Sequence, residues 1–247
     1  MAQLSLPAQG LIAGHGEKHM NILRRWWYQY KFRQHPIKAL FERYRGEELV
    51  SLDCETTSLD PASAELVTIA ATRIRANRIL TSTSLHLTLS PPDSLNADSV
   101  TIHRLRHQDL KHGLDAREAL TQLLAFIGNR PLVGYHIRYD KAILDRYFRR
   151  LFGFALPNRL VEVSHLYHEQ LERQLPNTSY DLSLEAISRH LDLPQSERHD
   201  ALQDSITAAL IYVRLKHGDL PCLTSPPFFR TSPLSTMQPD VSPKKKS

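Results

Sequence analysis

The chain has 247 residues, of which 41% are apolar and 23% are charged, a balance typical of a globular protein with one substantial core. Its two cysteines, Cys54 and Cys222, exclude a disulfide framework and a cysteine-rich zinc site. No apolar run approaches the roughly 20 residues that cross a bilayer, and the N-terminus lacks a signal-peptide pattern, so we expect a cytoplasmic protein without a membrane partner.

The net charge of +5 is unevenly distributed. Residues 1–46 contain eight Lys/Arg and two Asp/Glu, and residues 221–247 contain four Lys/Arg and one Asp, whereas the part between them is acidic. Basic flanks beside an acidic domain favour a polyanionic partner such as nucleic acid. Solubility alone would also explain such flanks.

Two segments precede the first predicted strand. Residues 1–20 are rich in glycine and are predicted to be flexible. Residues 21–46 are predicted to form a helical arm rich in aromatic and basic residues, with a second short helix that ends at Gly46. We expect Trp26 and Trp27 to pack this arm onto the domain, with stacking on bases as the alternative.

Residues 47–220 are predicted to form the domain proper. It begins with the strand ELVSLDCE, and two further strands flank a turn at Ala76–Asn77 because β-branched residues are dense on both sides. A helix that ends at Gly128, the short strand PLVGY, another helix and a short strand NRLVEV follow. A meander followed by helix–strand–helix units predicts a mixed α/β sheet.

The C-terminal part contains two more predicted helices and a tail. Asp181 is expected to cap the helix LSLEAISRHL, and DALQDSITAALIYVRLKH forms a long final helix. Residues 221–247 are rich in Pro and Ser and are predicted to be disordered.

Acidic residues lie at the ends of several of these elements. Asp53 and Glu55 flank one residue at the end of the first strand, so both project from one face, where they repel each other unless they are solvated or bind a cation. Asp140 begins the helix after PLVGY, and Asp204 lies five residues after His199 at the start of the last helix. If these four carboxylates meet at one sheet edge, their oxygen atoms are suitable ligands for Mg²⁺ or Mn²⁺ ions. A neutral histidine nearby can take a proton from an attacking water.

Three segments, DCETTSLD, GYHIRYDKAIL and RHDALQDSITAAL, together resemble the three motifs of the DEDDh 3′–5′ exonucleases. This family includes the epsilon proofreading subunit of bacterial DNA polymerase III, ribonuclease T and oligoribonuclease. The resemblance covers roughly residues 47–216, and the lead-in FERYRGEELVSLD is most similar to the epsilon-like exonucleases of proteobacteria. It implies an α/β, ribonuclease H-like fold, a mixed five-stranded sheet flanked by helices. It also implies hydrolysis of single-stranded 3′ ends, with DNA favoured, to nucleoside 5′-monophosphates in replication proofreading or repair.

The resemblance assigns catalytic roles residue by residue. It implies that Asp53 bridges two Mg²⁺ or Mn²⁺ ions, that Glu55 and Asp204 complete one metal site, and that Asp140 serves the other. His199 would be the general base.

The resemblance also implies five substrate contacts. Thr56 and Thr57 match a threonine pair that approaches the terminal nucleotide, and Leu59 is an apolar neighbour of that site. His103 matches a histidine that touches the 3′-terminal nucleotide, and Tyr139 stands where the family usually has Phe and offers a ring to a base or sugar.

Two residues depart from the family pattern. Ser58 replaces a glycine, which would cost about 1 kcal/mol or more if that position requires a positive φ. Ile137 replaces an asparagine and removes a polar side chain near the site. Both changes bear on substrate fit, and neither removes a metal ligand.

A short peptide near the N-terminus suggests a partner. QLSLP, with Gln3, Leu4 and Leu6, resembles the peptide by which bacterial replication proteins dock in the sliding clamp, although Ala8 stands where a further apolar side chain often lies. A sliding clamp or a polymerase subunit is therefore an expected partner.

Alternative functions remain at this point. An RNA-trimming or short-oligonucleotide exonuclease would need the same metal site, because DNA and RNA are distinguished through the 2′-OH. A non-catalytic nucleic-acid-binding module associated with a polymerase would have lost a ligand, but all are present. The pair His103 and His107 has metal-like spacing, but no third ligand accompanies it.

Overall fold

The computed structural model describes residues 22–91, 110, 112–174, 176, 179–195 and 200–218. Several predictions fall outside these residues, namely those for Gln3, Leu4, Leu6, His103, His199 and the tail. No helix among the described residues is long and apolar enough to span a membrane.

Five strands form one mixed sheet in the order β3-β2-β1-β4-β5. Strands β1 (Glu48–Thr56), β2 (Leu66–Arg75) and β3 (Arg78–Thr88) form an antiparallel meander. Strands β4 (Leu132–Gly134) and β5 (Leu160–Glu162) extend the sheet in parallel from the other side of β1. The predicted mixed five-stranded sheet is confirmed, and its central strand is the one that ends in DCET.

The arm consists of helix α1 (Ile22–Lys31) and a 3-10 helix (Pro36–Phe41). The prediction that the tryptophans pack this arm is wrong, because Trp26 and Trp27 are 71% and 54% exposed. Tyr28 is buried instead, and its ring stacks on that of Phe41 with the ring centroids 4.7 Å apart. The second helix is shorter than predicted and ends well before Gly46.

Helices cover both faces of the sheet. On one face lie α2 (Ala116–Ile127) and α3 (Ile137–Phe152), which share a core with the arm. On the other face lie α4 (Val163–Gln174), α5 (Leu184–His190) and α6 (Ala201–His217), whose apolar side chains form a second core. The sheet therefore lies between two helical layers, which confirms the predicted flanking helices.

Two details of the C-terminal half differ from the predictions. Helix α4 was not predicted, and it begins at Val163 directly after the last residue of β5. Ser183 caps α5 by accepting a hydrogen bond from the Ala186 N–H at 3.2 Å, whereas Asp181 accepts from the Ser183 N–H at 2.9 Å and so forms the turn before the helix. The prediction of Asp181 as the cap is therefore wrong by two residues.

Candidate active site

Strand β1 presents two carboxylates towards helix α6. Ser51, Asp53 and Glu55 alternate with core residues and so share one face of the strand. On that face the buried Ser51 hydroxyl donates a hydrogen bond to the Ser205 carbonyl at 2.7 Å, which fixes α6 against β1. Cys54, between the two acids, is buried in the core on the opposite face.

The first turn of α6 brings a third carboxylate to this face. Asp200 caps the helix by accepting hydrogen bonds from the Leu202 and Gln203 N–H groups at 2.9 and 3.4 Å, and this places Asp204 in the first turn. Oxygen atoms of Asp53, Glu55 and Asp204 all lie within 4.8 Å of one another. Three of the four predicted metal ligands therefore form one cluster, which we call the acidic cluster.

Asp140 approaches the same strand end from the other helical layer. It lies in the first turn of α3, is almost fully buried, and accepts a hydrogen bond from the Cys54 N–H at 3.1 Å. The chain reaches this position through Gly134, where a Cβ atom would lie 2.8 Å from the Leu52 carbonyl oxygen. Glycine at the end of β4 thus allows the close approach that places Asp140 beside β1.

Burial and neighbouring charges raise the pKa values of three of the four acids, Asp53, Glu55 and Asp140. Desolvation and then the charges of Asp140 and Asp204 raise the pKa of Asp53 well above its ordinary value. Burial and then the charges of Asp204 and Asp200 raise the pKa of Glu55 to about 7. Burial raises the pKa of Asp140 to about 8, although hydrogen bonds from backbone N–H groups partly offset it. The arrangement is therefore unfavourable for ionised acids that have no positive partner.

This donor set fits a hard divalent cation. All of its donors are carboxylate oxygens, which Mg²⁺ and Mn²⁺ prefer, and three of them converge from two elements that Ser51 and Ser205 hold together. Repulsion between the acids disappears when such a cation is bound, so the same burial that raises their pKa values favours cation binding.

Four of the five predicted substrate residues, Thr56, Thr57, Leu59 and Tyr139, lie in or beside the loop after β1. The Tyr139 hydroxyl lies 2.7 Å from the Thr56 hydroxyl and donates a hydrogen bond to the Ser58 carbonyl. Thr57 accepts a hydrogen bond from the Glu65 N–H at 3.1 Å, and the Leu59 side chain is 76% exposed. Tyr139 therefore fixes this loop through its hydroxyl, a contact that phenylalanine cannot make.

Neither departure from the family pattern strains this site. Ser58 is not among the described non-glycine residues with positive φ, which are Ala76, His136 and Asp192. The backbone strain expected if serine had to adopt a positive φ at this position is therefore absent. Ile137 is fully buried in the core at the start of α3.

Two acidic residues near the site were not predicted from the sequence. Asp200 caps α6, and its charge raises the pKa values of Asp53 and Glu55. Glu162, at the end of β5, accepts a hydrogen bond from the His136 N–H at 3.0 Å, and its charge raises the pKa of Asp140. The sequence signals that could have indicated them were the position of Asp200 directly before a helix and the position of Glu162 at the end of a parallel strand.

The sequence model of the RNase_T exonuclease family matches residues 50–212, more than half of the chain. The chain belongs to this exonuclease family. The family drawn from the three motifs is thereby confirmed.

Among curated relatives, the exonuclease is 25% identical over 171 residues to the PolC-type DNA polymerase III of Thermotoga petrophila, covering 69% of this chain but only 12% of the relative. It is 25% identical to the DNA polymerase III epsilon subunit of Rickettsia felis, covering 68% of this chain and 74% of the relative. It is 26% identical to the oligoribonuclease of Streptomyces griseus, covering 68% of this chain and 85% of the relative.

A solved structure shares the fold of the exonuclease. The crystal structure of E. coli exonuclease I in complex with a dT13 oligonucleotide superposes with a TM-score of 0.60 at 16% identity. The superposition covers 69% of this chain and 41% of exonuclease I. The ribonuclease H-like exonuclease fold predicted for the domain is thus confirmed.

Proposed function

We propose that this exonuclease hydrolyses single-stranded nucleic-acid 3′ ends, with DNA favoured, and releases nucleoside 5′-monophosphates. The observation that carries the proposal is the acidic cluster at the end of β1, together with Asp140 across the same strand. Four acids packed together, three of them with raised pKa values, are unfavourable unless they hold cations, and phosphodiester hydrolysis is the chemistry that such cations serve in a nuclease.

Asp53, Glu55 and Asp204 would hold one divalent cation, and Asp53 with Asp140 would hold a second. When bound, two such cations stabilise the attacking and the leaving oxygen of a phosphodiester during in-line displacement. The protein contributes the fixed positions: the Ser51–Ser205 hydrogen bond holds α6, and the Cys54–Asp140 hydrogen bond holds α3.

His199 is proposed to accept the proton of the attacking water. In the sequence it directly precedes Asp200, the residue that caps α6 one turn before Asp204. A neutral imidazole suits this role because its ordinary pKa lies near neutral pH.

The loop after β1 is proposed to receive the terminal nucleotide. Leu59 offers an exposed apolar side chain in this loop, and Thr57 and His103 are further predicted contacts. Thr56 and Tyr139 fix the loop through their hydroxyl groups, and the half-buried Tyr139 ring, which packs against the core, is the predicted contact for a sugar or base.

The favoured pathway is DNA replication proofreading or repair in the cytoplasm. Two of the relatives are DNA polymerase III proteins, and the peptide with Gln3, Leu4 and Leu6 resembles a clamp-binding motif. The likeness to an oligoribonuclease supports the alternative, an exonuclease that trims RNA or short oligonucleotides.

The test is hydrolysis of end-labelled single-stranded DNA, single-stranded RNA and a mismatched primer–template by the purified protein. We expect shortening from the 3′ end in Mg²⁺ or Mn²⁺, faster on DNA, and no reaction in excess chelator. Glu55→Gln should abolish it, whereas Glu118→Gln, the same change on the exposed side of α2, should not. Activity in excess chelator, or full activity of Glu55→Gln, would overturn the proposal.

A further inference from the structure

The large exposed apolar side chains of the described residues lie almost entirely on one side of α1. Ile22, Leu23, Trp26, Trp27 and Tyr30 are between 54% and 76% exposed, and the one other such residue described is Leu59. Their spacing along the helix places them on one continuous side. We call this surface the aromatic face.

The aromatic face is held rigidly towards the outside. On the opposite side of α1, the Tyr28 ring is buried against Phe41, and the Gln29 side-chain amide donates a hydrogen bond to the Phe41 carbonyl at 2.8 Å. The Phe32 ring continues this contact to Phe154 in the core, with the ring centroids 5.9 Å apart. The three exposed rings are therefore held in place by a helix that is packed firmly against the domain.

Positive charges are interleaved with these rings. Residues 22–46 contain seven Lys/Arg and one Glu. The Lys31 ammonium lies 5.0 Å from the centroid of the Trp27 ring, and the Arg33 guanidinium lies 4.8 Å from that of Tyr30. Neither cation forms an ion pair with another described residue. The face therefore combines rings with unneutralised positive charge.

We propose that the aromatic face binds single-stranded nucleic acid, as a second contact for the strand whose 3′ end enters the active site. Exposed rings stack on bases of any sequence, and neighbouring Lys and Arg bind the phosphates between them. The net positive charge selects a polyanion over a neutral protein surface. That the bound nucleic acid is the one being hydrolysed rests on the proposed function, because the acidic cluster would receive its 3′ end.

The distance between the two sites sets a length requirement. Phe154, against which the arm packs, follows the C-terminal end of α3, whereas Asp140 lies in its first turn. The helix between them spans roughly 20 Å at about 1.5 Å per residue. A strand stacked as in a duplex, at roughly 3.4 Å for each nucleotide, needs about six nucleotides to cover that length.

The chain has two tryptophans, both on the aromatic face, so intrinsic tryptophan fluorescence reports on this surface alone. The full chain is titrated in excess chelator with oligo-dT and oligo-rU of 15 nucleotides and with oligo-dT of four. We expect saturable quenching by both 15-mers and much weaker quenching by the 4-mer. No quenching by the 15-mers, or equal affinity for the 4-mer, would overturn the proposal.

Variants separate base stacking from general apolar contact. Trp26→Ala combined with Tyr30→Ala should weaken binding of the 15-mer at least about tenfold, measured by the anisotropy of a labelled oligonucleotide. The control Ile22→Ala removes an exposed aliphatic side chain from the same face and should change the affinity little. An equal loss in this control, or quenching by anionic lipid vesicles in place of oligonucleotides, would identify an apolar docking surface and contradict the proposal.

Binding in chelator does not depend on hydrolysis. If Glu55→Gln remained active, the proposed function would fail while the binding result stood. If the ring variants bound the 15-mer as the wild type does, the second contact would fail while the proposed function stood.

Discussion

The backbone N–H of Cys54 donates a hydrogen bond to the Asp140 carboxylate at 3.1 Å, which joins strand β1 to helix α3 at the point where the acids meet. This contact explains how Asp140 can lie on the other side of the strand from Asp204 and still act electrostatically on Asp53. The acids are therefore held together by the fold against their own repulsion.

Relief of this repulsion should be measurable as stability. Asp53→Asn keeps the shape of the side chain and removes one charge, so we expect the metal-free protein to gain about 1–3 kcal/mol in the free energy of unfolding at pH 8. Urea denaturation in chelator measures it. Glu118→Gln, which neutralises an exposed acid outside the acidic cluster, is the control and should change the free energy of unfolding by about 0.5 kcal/mol or less. A loss of stability in Asp53→Asn would contradict this account.

The raised pKa values predict the direction of the pH dependence. Because the pKa values of Glu55 and Asp140 rise from 4.5 and 3.8 to about 7 and about 8, the folded state binds more protons than the unfolded state between these limits. The stability contributed by the protonated acids is full below pH 4 and is lost as the pH rises towards 8. Denaturation from pH 5 to 9 in chelator should show this fall, and saturating Mg²⁺ should reduce it. A rise in metal-free stability over this range would contradict the assignment.

Tyr139→Phe tests whether the hydroxyl matters beyond the ring. The variant keeps the aromatic surface but removes the hydrogen bonds to Thr56 and Ser58, so we expect a loss of about 0.5–1.5 kcal/mol and slower hydrolysis. Tyr212→Phe is the control, because the Tyr212 hydroxyl has no hydrogen bond to another described residue. Unchanged stability and rate in Tyr139→Phe would show that phenylalanine serves equally well here.

Ser58→Gly would restore the family's residue, and we expect it to destabilise this protein. Ser58 does not have a positive φ, and its hydroxyl accepts a hydrogen bond from the Asp60 N–H at 3.1 Å. Glycine would lose this bond and add about 0.5–1 kcal/mol of chain entropy in the unfolded state. Ser58→Ala separates the two effects in thermal denaturation. A glycine variant more stable than the wild type would refute this view.

Local patterns in the sequence predicted much of the fold. The alternation around Asp53 and Glu55, the turn at Ala76–Asn77 and the helix stop at Gly128 each depend on neighbouring residues alone, and each is confirmed. The convergence of the acidic residues came from the order of three motifs, since no single D-x-E pair would have indicated a site.

Features that depend on tertiary contacts were not predictable in the same way. Which side of α1 is buried is decided by Phe41 and Phe154, so the exposure of Trp26 and Trp27 could not be read from their helix. Helix α4 was missed because it follows β5 without a loop residue, so no turn signal separates the two elements.

Cation binding by the acidic cluster is tested most directly by isothermal titration of Mn²⁺ into the metal-free protein at pH 8. We predict saturable binding by the wild type and by Glu118→Gln, and at least about tenfold weaker binding by Asp53→Asn and Asp204→Asn, since each lacks one charged ligand. Binding of equal strength in all four proteins would contradict the proposed metal site.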